Sequence, residues 1–158
     1  MNQTVTLRPY SDADFPLYKS WLYAPHVAKW YHDPSSWLME IEQRMGTFCW
    51  IRHFIVEAEG QAIGFCQYYE YVKSGEDWHG SVEAAGSYSL DYLIGEPAFL
   101  RRGFGKAIIL ALVRLIQGEE HAKRIIVQPE LDNDASCRTF LSCGFCFDPV
   151  NELYQYDL

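Results

Sequence analysis

The amino-acid sequence predicts an α+β protein of mixed α/β layers, and three observations carry that expectation. Short runs of β-branched and aromatic residues with two-residue alternation are interleaved with runs whose apolar residues recur every three or four positions. Three strand-like runs follow one another in mid-chain. The last of them feeds a Gly-x-Gly turn and an apolar helix, a junction typical of layered folds. At 158 residues, with no repeat, low-complexity segment or Pro/Gly-rich linker, residues 1–158 are expected to form one domain. A chain of this length buries roughly 70% of the surface its unfolded form exposes.

The elements follow in order. "TVTLRPY" alternates apolar and polar residues and reads as a first strand ending at Pro9. "SDADFPLYKSWL" offers Ser11 or Asp12 as a helix N-cap, with Leu17, Trp21 and Leu22 at helical spacing. "DPSSWLMEIEQRM" reads as a second helix, with Pro34 early and Trp37, Ile41 and Met45 recurring every four residues. "RHFIVEAEGQAIGFCQYYEYV" reads as a hairpin turning at "EGQ". Residues 73–86 are polar and small and read as a long loop, before "SYSLDYLI" resumes as a strand. From Gly103, Phe104, Ile108, Leu112 and Leu115 mark a helical face that ends near Gly118. "RIIVQ" is a short strand, "NDASCRTFLSC" a helix capped by Asn133 and ended by Gly144, and "FCFDPV" and "ELYQYDL" are two closing strands.

Composition narrows the function. The net charge is −8, with 49% hydrophobic and 22% charged residues, so backbone binding of nucleic acid is not expected, because phosphate contacts need clustered Lys and Arg. An acidic chain suits a cationic partner. No apolar run approaches the roughly 20 residues of a membrane helix, and the N-terminal residues lack a signal-peptide pattern, so no membrane association and a cytoplasmic location are expected. The five cysteines do not form a disulfide pattern, and "CGFC" at residues 143–146 has no second ligand pair, so it reads as packing and no metal is expected.

Against this acidic background, "FLRRGFGK" over residues 99–106 is a concentrated basic spot on a glycine turn. Gly103 and Gly105 let the backbone turn tightly and bring a ligand against the amides themselves. The first amides of the helix lack internal partners and carry the positive end of its dipole, which favours phosphate. Arg101, Arg102 and Lys106 add charge at the rim. Neither G-x-x-x-x-G-K-[ST] nor G-x-G-x-x-G is present, so this is not one of the common nucleotide loops.

With these features the chain resembles the GNAT superfamily of acetyl-CoA-dependent N-acyltransferases. "LRRGFG" resembles their phosphate-binding signature, with Leu100 in the place usually held by Arg or Gln. "NDASCRTFLSCGF" resembles a second signature in which Asn133, Gly144 and Phe145 match, while Ser136 replaces an Ala and Phe140 a Tyr. Within the superfamily, "WLYAPHVAKWY", "GQAIGFCQYYEYVKSGEDWHG" and "LDYLI" look most like the aminoglycoside 6'-N-acetyltransferases; acyltransferases of hydroxylysine-type siderophore precursors share part of this pattern. The resemblance implies a twisted, mostly antiparallel sheet of about seven strands flanked by about four helices. It also implies acetyl-CoA as cofactor, a small cationic amine as acceptor, and a monomer or homodimer.

By resemblance, Asp91 is the base or amine anchor, Leu93 or Ile94 offers a backbone amide to the thioester oxygen, Arg101, Arg102, Gly103, Phe104, Gly105 and Lys106 take the pyrophosphate, and Asn133 reaches the pantetheine arm. Trp30, Tyr31, Gln67, Tyr69, Glu76, Asp77 and Trp78, with Asp91, are expected to line the acceptor cleft. Gln128 stands where the resembling enzymes carry an acid. Phe140 cannot donate a proton to a leaving thiolate, which leaves water or one of Tyr68, Tyr69 and Tyr92 for that task, or else a non-catalytic acyl-CoA sensor.

Overall fold

In the computed structural model, which describes residues 3–158, one seven-stranded sheet carries the order β1-β2-β3-β4-β5-β7-β6. The strands are β1 (Thr6–Pro9), β2 (Ile51–Ala58), β3 (Gln61–Glu70), β4 (Ser87–Ile94), β5 (Arg124–Val127), β6 (Cys146–Asp148) and β7 (Leu153–Asp157). Every pairing is antiparallel except β4 with β5, which the crossover helix α4 (Phe104–Gln117) connects. The other helices are α1 (Phe15–Tyr23), α2 (Pro25–Ala28), α3 (Pro34–Glu42) and α5 (Asp134–Ser142). Among the described residues, no helix is long and apolar enough to cross a membrane.

Strand alternation sorts the side chains into two layers. Cys66, Tyr68, Tyr88 and Leu90 face α4 and α5, packing on Ile108, Leu112 and Phe140. Phe65 and Leu93 point to the opposite face, where Tyr18, Trp21, Leu22 and Ile41 of α1 and α3 cover them. A bulge adjusts this alternation: Val56 pairs with Gly64 and Glu57 with Ala62, so Ile63 is the extra residue and joins the α4 layer. Its carbonyl then accepts from the amides of Gly95 and Glu96, at 2.8 and 3.1 Å, and so pins the far end of β4.

Several expectations need correction. Met45 lies beyond α3 and is 88% exposed, because the helix ends at Glu42; Leu38 and Ile41 form its buried face instead. Leu17 and Leu115 are also exposed, and Tyr18, Val113 and Ile116 fill the core on their helices. Ser11 with Asp14 caps a 3₁₀ turn over Asp12–Asp14, and α1 starts only after it. The hairpin loop is two residues, Glu59 and Gly60, both at positive φ, as the twist of a tight hairpin requires. The second hairpin strand stops at Glu70, where a 3₁₀ turn over Tyr71–Ser74 begins. Cys143 is buried beside α4 and packs there, whereas Cys146 is exposed on β6, so the packing expected of "CGFC" holds for its first cysteine and not its second.

Gly64 is where the sheet tolerates no side chain, since a Cβ there would lie 2.2 Å from the Leu93 carbonyl oxygen. Both partners are backbone, so relief requires β3 and β4 to separate. Gly64→Ala is expected to cost about 3 kcal/mol in urea unfolding; an unchanged midpoint would contradict this reading of the β3/β4 contact.

Candidate functional site

β4 and β5 are joined by only two pairs, Ser87 with Arg124 and Tyr88 with Ile125, and then part. Beyond Tyr88, β4 stays paired to β3 up to Ile94, while its other edge loses its strand partner. Side chains take up that edge's carbonyls: the Tyr31 hydroxyl donates to the Tyr92 carbonyl, and the His26 ring lies 3.0 Å from the Ile94 carbonyl. In a strand, the N–H and C=O of one residue point to the same edge, so the amides of Tyr92 and Ile94 also face the opening.

Two adjoining clefts fill the gap, sharing Trp30, Tyr31, Tyr92, Asn133 and Ser136. The larger, about 540 Å³, runs along Leu93, Ile94 and Leu100 to Arg101, Gly103, Phe104, Gly105 and Lys106 at the start of α4. Gly103 sits at φ +85° and Arg101 at +59°, which turn the chain sharply into the helix. The first α4 bond reaching back to Gly103 comes from Ala107 at 3.3 Å, so the amides of Phe104, Gly105 and Lys106 lie ahead of the helical ladder. At Gly105 a Cβ would touch the Tyr92 ring at 3.4 Å, so the turn lies directly against Tyr92. Asn133 is spent as the α5 cap, its Oδ1 accepting from the Ser136 amide at 3.2 Å.

The second cleft, about 350 Å³, has Asp91 on its floor, Trp30, Tyr31, Trp37, Tyr69 and Trp78 as walls, and Glu76 and Glu130 on its rim. Strand register places Gln67 opposite Asp91, and the buried Gln67 amide donates to Asp91 Oδ2 at 2.9 Å. Burial pushes the Asp91 carboxyl up to about 6, Gln67 pulling it down and Glu76 raising it further. Glu76 is itself held by the Trp78 indole N–H at 2.6 Å.

The structure thus gathers most of the expected residues and leaves some out. Gln67 acts from behind Asp91 rather than on the cleft wall. Asp77 is exposed and lines neither cleft. The Arg102 guanidinium turns away to Glu59 at 2.6 Å and lies over Phe99 and Phe104, so its side chain is absent from the turn's ligand face. Gln128 donates to the Glu152 carbonyl at 3.1 Å. Glu40 on α3 was missed: burial, Asp91 and Glu76 push its carboxyl up to about 7, and the Gln67 amide opposes them. The one available signal was its place one turn after Trp37 on the same helix.

Comparison with known proteins follows the same lines. Residues 11–153 match the family model described as the acetyltransferase (GNAT) domain. The aminoglycoside N(6')-acetyltransferases type 1 of Klebsiella pneumoniae and Serratia marcescens are each 24% identical over 150 residues, covering 91% of this chain and 75% of theirs. The crystal structure of aminoglycoside acetyltransferase AAC(6')-Ib in complex with coenzyme A superposes with a TM-score of 0.83 at 22% identity, covering 98% of this chain and 95% of that one. An aminoglycoside N(6')acetyltransferase from Legionella pneumophila gives 0.74 at 17% identity, covering 100% and 93%. These likenesses establish the fold anticipated from the sequence.

The raised Asp91 pKa has a consequence for stability. The folded protein holds this proton more tightly than the unfolded chain, so the penalty is absent below pH 4 and complete above pH 6. Asp91→Asn is therefore expected to be more stable than the parent by about 2 kcal/mol at pH 8, the gain shrinking towards pH 4. Urea unfolding across this range checks it, and a pH-independent difference would refute the buried charge.

Proposed function

Because the chain belongs to the GNAT acetyltransferase family, we propose that it transfers the acetyl group of acetyl-CoA to a primary amine of a small cationic acceptor, an aminoglycoside 6'-amine being the reading its relatives favour. The observation that carries this reading is the opening between β4 and β5, which sets an anion-favouring turn and an acidic, aromatic-walled cleft side by side. Solved relatives hold coenzyme A, and one holds kanamycin with it.

The larger cleft fits the cofactor. The amides of residues 103–106 and the α4 dipole would take its phosphates, with Arg101 and Lys106 at the rim. Leu93, Ile94, Leu100 and Asn133 would flank its arm, and the open-edge amides of Tyr92 and Ile94, rather than that of Leu93, face the place where it would lie. When bound, acetyl-CoA supplies an activated acetyl thioester. An Arg or Gln side chain at Leu100's position is not needed, because the amides carry the charge recognition.

The acceptor arrives as an ammonium, since free alkyl amines have pKa values near 10, roughly. Asp91 attracts that cation and takes its proton, which releases the lone pair; Gln67 keeps the carboxylate aimed into the cleft. The Ile94 amide offers a hydrogen bond where negative charge develops on a carbonyl oxygen. Trp30, Tyr69 and Trp78 line the cleft with aromatic rings, which suit a cationic amino sugar. Of the candidate proton donors, Tyr68 is engaged with Glu119 at 2.7 Å, away from both clefts. Tyr92 lines both, its ring 5.9 Å from that of Phe140 and its hydroxyl 3.3 Å from Ser136 Oγ, so it supplies beside α5 the hydroxyl that Phe140 lacks.

Asp91→Asn is expected to lower kcat by ~100-fold or more in an assay of CoA release with kanamycin. With the parent, kcat/KM should fall on the acid side through about pH 6, since only the carboxylate accepts a proton. An unchanged rate in the variant would refute the assignment. At the turn, Gly103→Val places a β-branched residue at φ +85° and should weaken CoA binding at least ~10-fold more than Arg101→Ala. Equal losses in a calorimetric titration would shift phosphate recognition from backbone to side chains.

A further inference from the structure

The exposed segment before α3 and the segment before α5 meet across the mouth of the acceptor cleft, at His32 and Glu130. Glu130 lines that cleft, and its Oε1 lies 2.7 Å from His32 Nε2. Its backbone is fixed where α5 starts, because the Glu130 carbonyl accepts from the Asn133 amide at 2.9 Å and from Cys137 Sγ at 3.7 Å. The carboxylate is about half exposed, so it remains open to solvent and to a ligand. Gln128, two residues earlier, lines the same cleft but carries no charge and has its amide committed to Glu152.

We propose that Glu130 is a specificity-determining residue that anchors a second ammonium group of the acceptor and so favours di- and polyamines over monoamines. This rests on the acetyl-transfer reading above. With Asp91 on the floor holding the reacting amine and Glu76 also on the rim, Glu130 is the carboxylate that reaches the cleft from the β5–α5 side. The fold already shows that a nitrogen donor seats on it, since the His32 ring occupies that place. An acceptor ammonium would take the same seat, so His32 is its internal competitor. An exposed contact of this kind contributes little stability, which makes the exchange inexpensive.

The test compares kcat/KM, measured by CoA release, for butylamine, putrescine and kanamycin in the parent, Glu130→Gln and His32→Ala. Parallel tryptophan-fluorescence titrations of each amine, with CoA present, read binding through Trp30, Trp37 and Trp78. Glu130→Gln is expected to lower the values for putrescine or kanamycin about fivefold and leave butylamine unchanged. Loss for kanamycin alone identifies an amino sugar as the source of the second ammonium, and loss for putrescine a linear polyamine. His32→Ala is expected to leave these values unchanged or raise them, because the competitor is gone. The proposal is overturned if Glu130→Gln changes nothing, if it weakens all three amines equally, or if His32→Ala causes the same losses, which would make the pair a structural strap. If no amine is acetylated the acetyl-transfer reading fails, while the titrations still report whether Glu130 grips a second ammonium.

Discussion

The parting of β4 from β5 after two residue pairs is the constraint on which the rest of the site depends. A sheet interior normally has all its backbone groups paired, and opening one edge leaves donors and acceptors that need new partners. Here the carbonyls on that edge are taken by Tyr31 and His26, from the segment that starts with α2, and the amides are left facing a cleft. The other edge of β4 cannot follow β5, because β3 holds it through seven register pairs, the Gly64 contact and the Ile63 carbonyl. One strand is therefore rigid on one side and available on the other.

That opening also separates charge. The α4 N-terminus brings positive potential to one end, and Asp91, Glu76, Glu130 and the half-buried Glu40 bring negative potential to the other. Burying these carboxylates, and setting them close together, costs stability, as the upward shifts of Asp91 and Glu40 record. A cationic ligand offsets this repulsion, so the gathered carboxylates favour binding an amine. Arg102 does not join the phosphate turn because Glu59 and two phenyl rings hold it; its effect there is to brace the turn from outside.

Much of this was legible in the residues. "SYSLDYLI" fell on β4 with its bounds, the apolar run after Gly103 on α4, and Asn133 on the cap of α5, because each depends on local periodicity or capping chemistry. Asp91, Glu76, Tyr69, Trp30 and Trp78 could be placed in one cleft through family resemblance. What escaped is non-local. The divergence of β4 from β5 is set by pairing across more than thirty residues, roughly, and leaves no pattern within either strand. The Ile63 bulge reverses a face without changing composition. Glu40 looks like an ordinary surface carboxylate on an amphipathic helix, and only its place beside Gln67 and Asp91 makes it a half-buried one. α2, at four residues, is too short to show a period.

The central claim is that the open edge of β4 and the first turn of α4 together hold acetyl-CoA. Amide hydrogen exchange, resolved by residue with and without CoA, tests it most directly. The account predicts that CoA slows exchange at Tyr92 and Ile94 together with residues 104–106, while Leu93, already paired with Phe65 across β3, changes little. Protection confined to α4, with Tyr92 and Ile94 exchanging as before, would contradict it.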